Sequence, residues 1–168
     1  MKNNRYVNTR TTKRLQVTIA ICSIIFTIGT ALHNFVIINT PLIETMMQMA
    51  GASNSEEEAA SFTSGFRIVG CVYIVGNALG ILAFKSQSTL LWWIILVVNF
   101  TQGLGFIMIP SSMWVAALNE YGLWGILPSA ITDGGAILIA GLMIYTMIKY
   151  GSTWGKKLIK GSDSSEGY

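Results

Sequence analysis

Four long apolar runs constrain this chain more than any other feature. A helix needs roughly 20 mostly apolar residues to cross about 30 Å of bilayer hydrocarbon. Runs of this length cover residues 15–38, 65–84, 90–109 and 126–150. In hydrocarbon the backbone must satisfy its own hydrogen bonds, which a helix does. We therefore predict an all-α integral membrane protein, a four-helix bundle over residues 15–150.

The scarcity of charge excludes several classes of protein. Charged residues make up 11% of the chain and apolar residues 52%, whereas a soluble domain carries about 25% charged residues. A soluble domain and a nucleic-acid binder are both excluded on this ground. Two cysteines and one histidine do not suit a structural zinc site or a disulfide framework. We expect no metal and no cofactor, and the lipid bilayer is the expected partner.

The basic residues indicate the orientation. All of the 11 Lys and Arg residues except Arg67 lie on one side of the predicted spans: in the N-terminal segment 1–14, at Lys85, and from Lys149 onward. The positive-inside rule makes this side cytoplasmic, so both termini are predicted to lie inside. We expect a multi-pass protein of the plasma membrane. The short loops and the abundance of Ile, Asn and Met favour a bacterial one.

The outer loop 39–64 is the longest. Its semi-apolar piece, residues 42–50, is expected to lie on the membrane surface. Asn54 and Ser55 precede three glutamates, a pattern that caps a helix and suits the positive end of its dipole. The second long helix is therefore expected to begin near Ser55, before its membrane span.

The other two connecting segments carry weaker signals. The second outer loop, residues 110–125, predicts a short interfacial helix around 113–118. The cytoplasmic tail, residues 151–168, is polar and small-residue-rich from Gly161 onward. We expect its end to be disordered.

Small residues within the spans predict close helix packing. Gly76 and Gly80 form a small-xxx-small face on the second span. Lipid tails are as apolar as leucine, so helices in a membrane associate through such close contacts. Packing within the chain is the favoured interpretation, and a homodimer through Gly76 and Gly80 is the alternative.

A layer of polar side chains inside the spans is the candidate ligand-binding site. An ionised side chain at the centre of a membrane costs roughly 2.5–3.5 kcal/mol, so its presence needs a reason. All four spans contribute to the layer, roughly 3–11 Å below the outer boundary by helical rise. Its members are His33, Asn34, Arg67, Gln102 and Asp133.

Two interpretations of this layer stand side by side. In the first, Arg67 and Asp133 form a charged pair in a pocket for a small polar ligand, a lipid headgroup or a quinone-like ring. In the second, the pair and the amides only hold helices together. Arg67 is also shallow enough to snorkel outward or to meet Glu56–Glu58. For His33, an interhelical hydrogen bond is favoured over proton relay.

Three function classes follow. No catalytic constellation is visible, so the first is a binding or accessory component: a subunit, modulator or immunity-type factor with a membrane-protein partner. The second is a small-solute carrier, expected to be oligomeric. The third, and less favoured, is a membrane enzyme using Asp133 and His33 as acid and base. It requires both side chains within hydrogen-bond reach of each other or of one substrate.

Overall fold

The computed structural model describes residues 5–53 and 55–159 and is almost wholly helical. The end of the tail that is predicted to be disordered, residues 161–168, lies outside the described part. Within that part, four helices are long and apolar enough to cross a membrane, which confirms the all-α membrane class. They cover Arg10–Ile37, Ser55–Phe84, Thr89–Met108 and Leu123–Tyr150.

Residues 5–53 and 55–159 contain six α-helices and two short strands. They are β1 (Arg5–Val7), α1 (Arg10–Leu32), α2 (Thr40–Met49), α3 (Ser55–Gly80), α4 (Thr89–Met108), α5 (Ser111–Tyr121), α6 (Leu123–Tyr150) and β2 (Lys157–Ile159). A π-helical turn, His33–Ile37, extends α1, and a 3-10 turn, Ile81–Phe84, extends α3. A second 3-10 turn, Thr153–Gly155, precedes β2.

Side-chain caps explain where several helices begin. At α1, Thr9 Oγ1 accepts from the Thr12 amide (3.1 Å) while Thr12 Oγ1 accepts from the Thr9 amide (3.0 Å), so two otherwise unpaired donors are satisfied. α3 begins at Ser55 with three exposed glutamates in its first turn, as expected. Asn54, the other predicted cap residue, lies outside the described residues.

The long helices pack through small residues. α1 contacts α3 and α6, and α4 contacts the same two helices. A Cβ on Gly76 would come within 2.8 Å of Val98 on α4, and one on Gly80 would overlap Ser23 on α1. Both glycines are buried within a single chain. The packing therefore gives no support to a homodimer through this face, since protein already covers it.

The two short helices form a second apolar cluster. α2 contacts α3 and α5, and α5 contacts α6. Met46 and Met47 on α2 are buried in this cluster together with Met113 and Ala117 on α5. The sequence predicts a short helix around 113–118, close to α5. Residues 42–50 are expected to lie on the membrane surface, whereas in the structure the apolar face of α2 is covered by protein.

A clasp joins the two ends of the described chain. β1 pairs antiparallel with β2. Between α6 and β2, Trp154 is 0% exposed, and its indole N–H donates to the Ser88 carbonyl at 3.0 Å. The hydroxyls of Thr9 and Thr12 both donate to the Gly155 carbonyl. These contacts close one end of the bundle and keep the N- and C-terminal segments together.

We predict that Trp154→Ala lowers the free energy of unfolding by about 3–5 kcal/mol, because it empties a fully buried site and removes a hydrogen bond. Trp124→Ala is the matched control, since Trp124 is 74% exposed. Thermal unfolding in detergent compares the two variants. Equal losses of unfolding free energy in the two variants would show that the contacts of Trp154 do not stabilise this end of the bundle.

Candidate functional site

A hydrogen-bond network centred on Gln102 joins the four long helices. Gln102, on α4, is only 4% exposed. Its Oε1 accepts from Asn77 Nδ2 on α3 at 2.8 Å. Its Nε2 donates to Thr30 Oγ1 on α1 at 3.1 Å and to Asp133 Oδ1 on α6 at 3.0 Å. One amide therefore bonds to all three of the other long helices.

Asp133 is held by hydrogen-bond donors. Besides Gln102, Thr132 Oγ1 donates to its Oδ1 at 3.0 Å, and Ser129 Oγ donates to its Oδ2. Ser129 and Thr132 are themselves buried. Asp133 accepts in all three bonds. Its surroundings are thus polar without any basic side chain among these partners.

Arg67 does not take its predicted place opposite Asp133. Its side chain is exposed, and the described partners of the carboxylate are Gln102, Ser129 and Thr132. The predicted charged pair is wrong because depth along a helix does not specify the face. Position 67 falls outside the stripe of α3 that borders the site, which runs through residues 62, 65, 66, 69, 70 and 73.

A cavity of about 650 Å³ lies beside this network. α1, α3 and α4 provide most of its walls, and Met46 on α2 and Met113 on α5 also line it. Four of the five predicted site residues line it: His33, Asn34, Gln102 and Asp133. The structure therefore brings together most of the layer, without its arginine.

The cavity arises where α3 and α4 separate. The two helices meet at Gly76 and Val98. Nearer the α2–α5 end, both helices border the cavity instead. Two of its lining residues, Phe62 and Met108, are 50% and 79% exposed. The cavity thus opens sideways between α3 and α4.

Asn34 is fixed against α3 by a close approach of the helices. Its Nδ2 donates to the Arg67 carbonyl at 3.2 Å. Gly70 makes this approach feasible, because a Cβ at that position would overlap the Asn34 amide. Asn34 Oδ1 is buried and has no hydrogen-bond partner among residues 5–53 and 55–159.

His33 lines the same cavity and contacts an aromatic ring there. Its ring lies edge-on to Phe66, with 6.4 Å between ring centroids. The interhelical hydrogen bond expected of His33 is absent from the described part of the chain. No hydrogen bond in that part joins His33 to Asp133 either, although both residues line one cavity. His33 opens the π-helical turn, a distortion frequent at functional sites.

Sequence reasoning did not identify the aromatic residues that form one wall of the cavity, here called the aromatic wall. Phe62, Phe66 and Tyr73 all line the cavity from α3. Their spacings of four and seven residues place them on one helix face, a signal that is readable from the sequence. Thr30 likewise shares a face of α1 with His33 and Asn34.

Comparison with known proteins gives no match: neither a family model, nor a curated protein, nor a solved structure resembles this chain. In the residues that the structure describes, no group of three His, Cys, Asp or Glu side chains is placed to hold a metal ion.

We predict that Gln102→Leu lowers the free energy of unfolding by about 2 kcal/mol, because it removes hydrogen bonds from Asn77 and Asp133 at once. Gln48→Leu is the matched control: Gln48 is exposed, and its side chain bonds only to Glu44 among the described residues. Thermal unfolding in detergent measures both. A loss no larger than that of the control would show that the network does not hold the helices together.

Proposed function

We propose that this chain is a multi-pass membrane protein that binds an amphiphilic ligand from the bilayer in the cavity between α3 and α4. One observation carries the proposal. The cavity is apolar and aromatic over most of its wall, with Asn34, Gln102 and Asp133 as its main polar groups. Ligand sites combine such apolar walls with a few placed polar groups, and about 650 Å³ lies within their usual size range of about 300–1,000 Å³.

Binding accounts for the structure better than transport or catalysis does. Beyond the cavity the bundle is filled by an apolar core that includes Trp92, Ile95 and Met143, and Trp154 closes its end. A solute route would have to pass through this core. For catalysis, the His33 and Asp133 side chains share a cavity but no hydrogen bond in the described part of the chain, so an enzyme would need a substrate that bridges them. A binding or accessory component, such as a subunit, modulator or immunity-type factor, is the function we retain.

The proposed orientation places the cavity in the outer half of the bundle. The clasp of β1 and β2 keeps both terminal segments at one end, and the basic residues concentrate near that end. By the positive-inside rule this end faces the cytoplasm. A bacterial plasma membrane remains our proposal for the location. An amphiphile in the outer leaflet would then reach the cavity sideways.

The proposal predicts saturable photolabelling of the cavity. The full-length protein in zwitterionic lipid nanodiscs would be mixed with a long-chain alcohol that carries a diazirine on its alkyl chain. After irradiation, peptide mass spectrometry would identify the labelled residues. We expect labels to concentrate on the two facing walls, residues 62–73 and 101–113, and to fall when unlabelled alcohol is added in excess.

Paired glycine variants provide the control. Gly105 lines the cavity and Gly141 is exposed on α6, and a Cβ on either would meet no other atom within 4 Å. Gly105→Phe fills cavity space and should lower the labelling several-fold, whereas Gly141→Phe should leave it unchanged. Labels spread evenly over all four long helices, unaffected by either variant, would contradict the proposed function.

A further inference from the structure

The polar groups that line the cavity define which ligand head it accepts. Among the described residues the lining contains one carboxylate, on Asp133, one imidazole, on His33, and no Lys or Arg. The hydroxyls of Thr30, Tyr73 and Thr101 add groups that both donate and accept. The carboxylate therefore decides which charge of ligand the lining suits.

Asn34 offers an acceptor that the described chain leaves unused. Three buried amide oxygens lack a partner in the described residues, on Asn34, Asn77 and Asn99. Of these three residues, only Asn34 lines the cavity, and it is 2% exposed. Its Nδ2 is committed to the Arg67 carbonyl, which fixes the orientation of the amide. An unpaired buried acceptor costs about 1–3 kcal/mol, and its lone pairs add negative potential to this wall of the cavity.

Asp133 determines which sign of charge the cavity attracts. It is the only Asp or Glu within the four predicted spans, and its three described partners are neutral side chains. A carboxylate in a medium of low dielectric constant attracts a cation strongly. Arg67, its predicted partner, is exposed outside the cavity, and His33, which lines the cavity, has no hydrogen bond to Asp133 in the described residues. A cationic ligand that enters the open cavity would supply the charge complement.

The aromatic residues that line the cavity from α3 also favour a positively charged ligand. Phe62, Phe66 and Tyr73 present rings along α3, and the first two have centroids 6.5 Å apart. The face of an aromatic ring carries a negative quadrupole that attracts ammonium groups, most effectively where water is excluded. These rings can also pack against an alkyl chain, so they serve both ends of a cationic amphiphile.

We propose that the ligand is a protonated lipophilic amine. Its ammonium group pairs with the Asp133 carboxylate, the unpaired Asn34 Oδ1 adds negative potential to the wall, and its apolar body fills the aromatic-lined part of the cavity. This inference rests on the proposed function, because it specifies the head group of the amphiphile that binds there.

Competition against the photolabel tests the head group. Dodecylamine, dodecanol and dodecanoate share one alkyl chain and differ in charge at neutral pH. We expect dodecylamine to displace the label at roughly tenfold to hundredfold lower concentration than dodecanol, the ratio that corresponds to one hydrogen bond involving a charged group. Dodecanoate should compete least, because its carboxylate meets Asp133.

A charge-removing variant locates the effect. Asp133→Asn should abolish the advantage of dodecylamine over dodecanol, measured as the ratio of the concentrations at which the two compounds displace the label from the variant. Glu120→Gln is the matched control, since Glu120 is exposed on α5 and does not line the cavity. It should leave the ranking of the three competitors unchanged.

Each outcome decides between the two proposals. Equal competition by all three compounds in the parent protein would overturn the amine inference and leave amphiphile binding intact. The amine inference would also be overturned if dodecylamine still displaced the label better than dodecanol in the Asp133→Asn variant. Absence of saturable labelling in the parent would overturn the proposed function itself. The ranking in the parent needs no variant, so the test stands even where Asp133→Asn does not fold.

Discussion

The amide of Gln102 is the contact on which the rest of the structure depends. In hydrocarbon no water satisfies a polar group, so polar side chains must find partners within the protein. Gln102 uses its carbonyl for Asn77 and both of its N–H groups for Thr30 and Asp133. These bonds set where α1, α3 and α6 meet α4. They also place the Asp133 carboxylate at the edge of a space that the helices leave open.

The cavity and the closed end of the bundle are consequences of uneven packing. Small residues such as Gly76 let α3 and α4 touch at one level, and nearer the α2–α5 end the same two helices diverge around the cavity. At the opposite end, Trp154 and the strand pair seal the bundle. The open cavity beside Gln102 and Asp133 is the reason why we propose binding rather than passage.

The sequence predicts the features that depend on position along a helix, and it misses those that depend on the helix face. Hydropathy finds the four long helices, and depth identifies the polar layer to which His33, Asn34, Gln102 and Asp133 belong. By depth Arg67 belongs to the same layer, yet it is exposed and does not line the cavity. Trp154 resembles an interfacial anchor in the sequence because a buried tryptophan and a belt tryptophan occupy similar positions near a span end. Only the tertiary contacts of Gly155 and Ser88 distinguish them.

The most direct measurement is a crystal structure of the full chain, grown from a lipidic phase with dodecylamine present. The account predicts α3 and α4 separated beyond Gly76, ligand density between them with its head at the Asp133 carboxylate, and Gln102 still bonded to Asp133. A structure in which α3 and α4 close on each other without a cavity, or in which Arg67 turns inward to pair with Asp133, would contradict it.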